Sequence, residues 1–434
     1  MNEPSLGPSP LAAGERNLSV AEARAAITAA LVPLSAAAVS EVPLHEAGGR
    51  VLAADLISPI DVPAHDNSAM DGYAFAGDTL TAGAETVLRA AGTVYAGRPS
   101  SGAVAAGHCV RIMTGAVMPS GCDTVVPFEL ALVRGEVDSG DVCIAAGTVQ
   151  RGDNRRKRGE DLAAGHAALR AGRVLRPADI GLAASLGLTQ LRVRRHLRVA
   201  LFSTGDEVVA PGVPLGPGGV YDSNRFALAA AVRRLGMEVV DLGLVRDDPE
   251  ALAAVVARAL EAADVVITSG GVSAGDADHT REILAQHGDI SFWKVAMRPG
   301  RPFAFGPLRR PGAAGTAGSW LFALPGNPVA ALVTFYAFVR EALLVLAGAT
   351  PEPLPVLSAR ATAAIRKRPG RTEFQRAIVE ATANGGWQVR LVGNQGAGVL
   401  RSMSEANALV VLGHDLGNVA AGEQVPVWLF DGLV

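Results

Sequence analysis

The stretch Asp264-Val265-Val266-Ile267-Thr268-Ser269-Gly270-Gly271-Val272-Ser273-Ala274-Gly275-Asp276-Ala277-Asp278 decides the fold. Its first five residues read as a strand, the next ones as a glycine-rich loop, and a helix is expected from about Asp278. The same unit recurs on both sides. Residues 198–202 read as a strand that runs into Ser203-Thr204-Gly205-Asp206-Glu207, followed by a helix over 224–235 with Leu228, Val232 and Leu235 on one face. Residues 239–242 lead into Arg246-Asp247-Asp248, where Asp248 caps a helix with Pro249 at its first position and Leu252, Val256 and Leu260 inside. Residues 321–324 lead into Leu324-Pro325-Gly326-Asn327-Pro328 and a long apolar helix over 329–347. Arg340 and Glu341 interrupt that helix, so it reads as a core helix rather than a membrane span. Repeated strand–loop–helix units predict a parallel, doubly wound α/β domain. The Gly-, Pro- and Ala-rich segment 307–319 is expected to be a loop insertion before the last strand.

Outward from this domain the pattern changes. Residues 19–31 read as a helix, with Ser19 and Glu22 as a capping box and Ala23, Ile27 and Leu31 on one face. Residues 51–150 alternate short apolar runs with Gly-rich turns and predict an all-β module. Residues 177–188 read as a second helix with Ile180, Ala184 and Leu188 on one stripe. Beyond 351–355 the chain returns to short strands and turns, a second β module.

Composition narrows the class. The 434 residues carry 50 glycines and 26 prolines, above the usual share of roughly 12% but below that of low-complexity chains. The net charge of −3 excludes a globally basic nucleic-acid binder. Cys109, Cys122 and Cys143 form no CxxC pair or zinc spacing and read as reduced, buried cysteines of a cytoplasmic protein. Residues 1–16 read as a disordered tail rather than a signal peptide.

Four strand ends carry Gly–Asp loops, where glycines let main-chain N–H groups approach phosphate oxygens at helix N-termini. Carboxylates beside them are hard oxygen ligands suited to Mg²⁺. Singly, each loop is an ordinary turn with an N-cap; together they point to a phosphorylated ligand with a metal. No GxxxxGK[ST] or GxGxxG occurs, which argues against a P-loop NTPase or a standard dinucleotide site. No GxSxG elbow supports a serine nucleophile, and His65 and His279 have no second histidine at metal spacing. Lys294, the turn Arg298-Pro299-Gly300-Arg301-Pro302 and Arg371 supply planar forks and charges for an oxyanion, while Arg366-Lys367-Arg368 read equally well as a solvated surface patch. The mixed-charge run Asn154–Asp161 reads as an exposed connection.

The motifs together carry a resemblance. Asp66-Asn67-Ser68-Ala69-Met70-Asp71-Gly72-Tyr73-Ala74, Arg111-Ile112-Met113-Thr114-Gly115-Ala116, Arg158-Gly159-Glu160-Asp161, Ser203-Thr204-Gly205-Asp206-Glu207, Tyr221-Asp222-Ser223-Asn224-Arg225, Ser269-Gly270-Gly271-Val272-Ser273 and Leu324-Pro325-Gly326-Asn327-Pro328 occur in family order. The chain resembles the molybdopterin molybdenumtransferases, the MoeA and gephyrin E-domain family, over about residues 17–434. The resemblance implies a three-layer α/β domain of MoaB/MogA type at 196–350 and β-rich modules at 51–150 and 351–434, the last barrel-like. A small mixed domain is expected from 17–50 and 151–195.

The resemblance also implies the reaction. Adenylylated molybdopterin and molybdate give molybdenum cofactor and AMP in a Mg²⁺-dependent step, in a cytoplasmic homodimer with its active site between subunits. Asp71 and Thr114 would line the site from the partner subunit; Glu207, Asp247 and Asp278 would hold metal and position the pyrophosphate. Ser269, Gly270, Gly271, Pro302 and Asp161 would contact the substrate, and Lys294, Arg298, Arg301 and Arg371 would hold molybdate and the pterin phosphate. A molybdopterin adenylyltransferase and molybdoenzymes or their chaperones are the implied protein partners; no nucleic acid or membrane is expected. The chain departs from the family pattern at Arg298 and Arg301, where lysine is common, and at Ala330 and Ala397, where serine is common. The alternatives are a molybdopterin adenylyltransferase, which resembles the α/β domain alone, and a non-catalytic molybdopterin-binding scaffold.

Overall fold

The computed structural model describes residues 17–31, 33, 39–271, 283–284, 286–309 and 318–433. At its centre is a seven-stranded sheet with the strand order Asn17–Leu18, Ser291–Val295, Pro302–Leu308, Ser319–Leu324, Val265–Ser269, Arg198–Thr204, Glu238–Val245. Val199 pairs with Val265, and Val265 with Trp320, in parallel, as the repeated units predict. Pro302–Leu308 instead runs antiparallel to both neighbours, so the expected parallel sheet is mixed. The cause is the short connection between Ser291–Val295 and Pro302–Leu308. It is a turn, too short for the crossover that a parallel pair requires. A second correction follows. Pro307, Leu308 and Ser319, expected in a loop, lie in strands. Pro307 reads as a breaker, but burial of Phe303, Phe305 and Leu308 outweighs that local signal.

Helices cover both faces of the sheet. On one side Leu228 and Val232 of Asn224–Arg234, and Val329, Val333 and Phe338 of the long helix, meet Phe303, Phe305 and Phe322. On the other side Leu252, Val256 and Leu260 of Pro249–Ala262 meet Ala200, Phe202, Val266 and Leu321. Asp248 caps that helix, its carboxylate accepting from Glu250 N at 3.1 Å and Ala251 N at 2.9 Å. The result is the three-layer α/β domain. The long helix consists of Pro328–Thr334, a π turn over Phe335–Val339, and Arg340–Leu346. By length and composition it could cross a membrane, but 72% of its apolar window is buried against the sheet and its neighbours. The predicted helix at 278 and the loop at 310–317 lie outside the described residues.

The first helix, Val20–Ala30, starts at the predicted capping box, with Ser19 N donating to Glu22 Oε2 at 2.8 Å and Glu22 N to Ser19 Oγ at 3.2 Å. Ala23, Ile27 and Leu31 are buried in the core of the α/β domain, and Asn17–Leu18 adds a strand to its sheet. Val39–Pro43 pairs with Gln190–Arg194, and Leu56–Ile57 with Ala167–Leu169, around a separate small core. The helix there spans Pro177–Ser185; of the predicted stripe Ile180 and Leu188 pack against the small core, but Ala184 is exposed, while Asp179 and Ala183 are buried. Asp179 accepts from Arg176 N at 2.8 Å and Arg173 Nε at 2.9 Å, which turns the polar first turn inward.

The first β module is a six-stranded sheet built from Gly72–Phe75, Thr86–Val94, His108–Ile112, Thr124–Pro127, Ala131–Arg134 and Asp141–Ile144. Cys109, Cys122 and Cys143 are free and buried, and burial pushes the Cys109 and Cys122 thiols up to about 12. In the second module Thr372–Ala381 pairs with both Trp387–Leu391 and Ala408–Leu412, which closes a barrel. Met297–Arg298 adds to that barrel through Thr372 and Glu373. The turn after Arg298 therefore ties the α/β sheet to the barrel.

Candidate active site

The carboxyl ends of Arg198–Thr204, Val265–Ser269 and Ser319–Leu324 open on one cavity of about 670 Å³. Ligands of open α/β sheets bind at this end of the strands. Glu207, Asp247, Ser269, Gly270, Gly271 and Pro302 all line it, so the structure brings six predicted residues together. Asp278 lies outside the described residues. Gly270 has φ +99° and donates its N–H to Leu324 O at 3.1 Å, and a Cβ there would come closer than 3.0 Å to Thr204 O. The close approach of two strand-end loops therefore requires glycine.

A buried polar network supports this floor. Asn224 Nδ2 donates to Ser269 Oγ at 2.6 Å and to Gly326 O at 2.7 Å, joining three loops. Asp222 accepts from Ser203 Oγ at 2.9 Å and from Arg225 Nε at 2.8 Å, and Arg225 also pairs with Asp241. Thr204 Oγ1 and Asn224 Oδ1 are buried in residues that line the cavity and have no hydrogen-bond partner among the described residues. Such orphaned atoms suit a polar ligand. Among the described residues no three His, Cys, Asp or Glu side chains gather at metal-ligating spacing. Glu207 and Asp247 nevertheless supply two carboxylates to one cavity, a donor set that fits Mg²⁺, which binds through one or two carboxylates plus substrate phosphates.

Two further cavities lie where the Arg298 turn meets the barrel. One of about 770 Å³ is lined by Arg298, Arg366, Lys367, Arg368, Arg371 and Glu373. Another of about 340 Å³ shares Arg298, Arg366 and Glu373 with it and adds Gln375, Arg376 and Gln395. Glu373 accepts from Arg371 Nε at 2.9 Å. Lys367 is buried with Nζ donating to His414 O at 2.9 Å, and burial lowers its pKa. Of the four predicted cations, Arg298 and Arg371 share this basic cavity, while Lys294 and Arg301 are exposed and line none of the three cavities.

Asp71 and Thr114 meet as predicted. Thr114 donates both its N–H and its Oγ1–H to Asp71 Oδ1, each at 2.7 Å. The main-chain bond, then the hydroxyl, hold the Asp71 carboxyl below its ordinary range. No residue before Ser203 lines any of the three cavities, so this pair stands apart from them within one chain. Asp161 is exposed and takes Arg156 Nη2 at 2.6 Å. The run Asn154–Asp161 is more than an exposed connection. Arg155 and Arg156 pair with Ser68 and Asn67, Asn154 O accepts from Ala69 N at 2.9 Å, and Arg158 N donates to Asp66 Oδ1 at 2.8 Å. It clamps the loop that presents Asp71.

Known proteins share this arrangement. Residues 18–187 match the MoeA N-terminal region (domain I and II), residues 200–345 a probable molybdopterin binding domain, and residues 358–430 the MoeA C-terminal region (domain IV). The molybdopterin molybdenumtransferase of Haemophilus influenzae is 40% identical over 392 residues, 90% of this chain and 94% of that one. The chain belongs to the molybdopterin molybdenumtransferase family. Molybdopterin molybdenumtransferase 2 of Mycobacterium tuberculosis is also 40% identical, over 89% of this chain and 94% of its own. The crystal structure of the molybdopterin biosynthesis moeA protein from Pyrococcus horikoshii OT3 superposes with a TM-score of 0.79 at 27% identity, covering 96% of this chain and 100% of that one.

Several residues of this family member escaped the site as read from sequence. Asn224, Asp222 and Asn327 line the cavity, and their signal was present in the Asp222-Ser223-Asn224-Arg225 and Pro325-Gly326-Asn327-Pro328 motifs. Arg366, Lys367 and Arg368 stand in a visible basic run, but only the barrel turns them toward Arg298. Arg376 carries no sequence signal, since an isolated arginine in an apolar strand reads as a solvent-facing residue.

Proposed function

We propose that this chain inserts molybdate into adenylylated molybdopterin, forming molybdenum cofactor and releasing AMP in a Mg²⁺-dependent step. The observation that carries the reading is the turn Arg298-Pro299-Gly300-Arg301-Pro302, whose two ends line different cavities. Pro302 lines the glycine-and-carboxylate cavity, and Arg298 lines the basic one. A pyrophosphate-linked pterin suits the first cavity, and a small oxyanion suits the second.

Glu207 and Asp247 would hold Mg²⁺ in the first cavity. Bound there, the ion would neutralise charge on the phosphates as the anhydride opens. Gly270 and Gly271 line the same space, and their main chain would orient the substrate. Cleavage adds one water across the P–O–P bridge and leaves AMP and the pterin's own phosphate. Arg298 and Arg371 would keep molybdate beside this site until the pterin's two thiols capture it, forming two Mo–S bonds as one oxo group leaves as water with the two thiol protons.

The reading includes a homodimer in the cytoplasm. Asp71 lies away from the cavities of its own chain, with Met70 exposed beside it. Val220, Tyr221 and Phe226 are exposed at and beside the mouth of the 670 Å³ cavity. A second copy would cover both apolar faces and deliver Asp71 to Glu207.

The direct test is AMP release from adenylylated molybdopterin, scanned over molybdate and tungstate. Release that does not depend on either oxyanion refutes the proposal. Accumulation of adenylylated product from molybdopterin and Mg-ATP makes the chain an adenylyltransferase instead. For the dimer, Asp71→Ala and Glu207→Ala chains are mixed. Statistical exchange restores about a quarter of wild-type activity if the site lies between subunits, and none if each chain is self-sufficient.

A further inference from the structure

Arg376 is the largest fully buried side chain among the described residues, 1% exposed on the strand Thr372–Ala381. Its guanidinium hydrogen bonds all go to neutral oxygens: Nε donates to Ser402 Oγ at 3.1 Å, and Nη2 to Asn394 O at 3.2 Å and Gly396 O at 2.9 Å. Burial, and then the neighbouring charge of Arg298, push its pKa down to about 10, so it stays charged at neutral pH. The main chain of Arg376 grips the same turn, its N–H donating to Gln395 Oε1 and its carbonyl accepting from Gln395 Nε2, each at 2.9 Å. Burial of a guanidinium is costly unless its donors are satisfied, and here one turn accepts two of its three hydrogen bonds.

That turn is a wall shared by two cavities. Gln395 lines the smaller cavity of about 340 Å³ together with Arg298 and Arg376, and that cavity adjoins the basic one of about 770 Å³ through the shared residues Arg298, Arg366 and Glu373. Gly398 lines the cavity of about 670 Å³ at the strand ends. Between them, Ala397 O accepts from Val329 N at 3.0 Å, which fixes the turn to the start of the long helix. A shift of residues 394–398 would therefore change the spacing between the strand-end cavity and Arg298 without removing a residue assigned to either ligand.

We propose that Arg376 is a positioning residue: by gripping residues 394–396 it fixes the turn that lies between the strand-end cavity and the smaller cavity adjoining the basic one at Arg298, and so the distance between pterin and oxyanion. This rests on the proposed reading of the two cavities as one composite site. Losing the grip would affect alignment rather than binding, because Glu207, Ser269, Arg298 and Arg371 are untouched. Alignment loss lowers kcat and leaves the half-saturating concentrations alone.

The test uses the full chain with Arg376→Gln, Arg376→Lys and Arg376→Ala. The expected result is faster amide exchange at Val329 and a kcat for AMP release reduced by at least about tenfold. Half-saturating molybdate and adenylylated molybdopterin stay within about twofold, and millimolar guanidinium partly restores Arg376→Ala. Unchanged Val329 exchange overturns the grip, whether or not the wild-type chain turns over. Faster exchange with unchanged kcat overturns the positioning role. So does a kcat loss that only tracks the folded fraction and ignores guanidinium. Absence of molybdate-dependent AMP release by the wild type refutes the functional reading instead, and Val329 exchange still decides the grip. If Arg376→Gln does not fold, Ser402→Ala, which removes one acceptor, is expected to show the same pattern at about twofold in kcat; an unchanged kcat with faster Val329 exchange overturns the proposal.

Discussion

Replacing Gly270 by alanine tests the floor of the strand-end cavity. The new Cβ would lie closer than 3.0 Å to Thr204 O, where ordinary contact begins at 3.4 Å. Both atoms belong to main chain that is pinned: Gly270 N donates to Leu324 O, and Thr204 ends a strand paired on both sides. The two loops must part by about half an ångström or more, at a cost of about 1–3 kcal/mol for overpacking. The left-handed φ of +99° adds about 1–2 kcal/mol for any residue with a Cβ. Gly212, with φ +92° and nothing within 4 Å of where a Cβ would stand, isolates the second cost. Gly270→Ala should therefore lower the midpoint of thermal unfolding of the α/β domain by several degrees more than Gly212→Ala, at roughly 2–4 °C per kcal/mol. AMP release should fall by about 10- to 100-fold in Gly270→Ala, because a phosphate bound at Gly270 and Gly271 would be misplaced. Gly212→Ala should retain full turnover. Equal unfolding midpoints and equal turnover for the two variants would refute the close-approach argument.

Thr114→Ala removes one of the two bonds that keep Asp71 ionised. Stabilisation of the carboxylate is complete above the ordinary Asp value of about 3.9 and is lost as pH falls through the lowered value, so the acid limb of turnover should move to higher pH in the variant. A pH–rate profile with an unmoved acid limb counts against it. Asn224→Ala cuts the links from Asn224 to Ser269 and Gly326 and should cost about 1–3 kcal/mol in unfolding free energy as well as activity. Stability equal to wild type in denaturant titration speaks against a buried network. Ala397→Ser restores a hydroxyl on the turn between the cavities, and half-saturating molybdate should fall; saturation at the wild-type concentration shows that this position does not set oxyanion affinity.

Much of the fold was legible because its signals are local. The capping box at Ser19 and Glu22, the Asp248 cap before Pro249 and the stripe Leu252, Val256, Leu260 all act within a few residues, and each appears in the structure as expected. The misreadings arose where a distant partner overrides local preference. Pro307 looks like a loop residue until Trp320 pairs beside it, and Ala184 looks buried until Asp179 turns inward to meet Arg173. For the candidate site, the strand-end residues Glu207, Asp247, Ser269 and Gly270 were readable, since a strand fixes where its own end lies. Which of the four expected cations share a cavity was not readable. Arg298 and Arg371 are far apart in sequence and meet because Met297–Arg298 joins the barrel at Thr372 and Glu373.

The sequence by itself determined the repeating strand–loop–helix units, the motifs at their ends and hence the family. These depend on apolar runs, caps and glycine turns that a chain carries within single segments. The tertiary structure alone decided two things: the reversed strand Pro302–Leu308 and the choice of Arg298 and Arg371 over Lys294 and Arg301 for the basic cavity. Each depends on where a side chain points after two segments distant in sequence pair in one register, and a one-residue change of that register would send the same side chain to the opposite face.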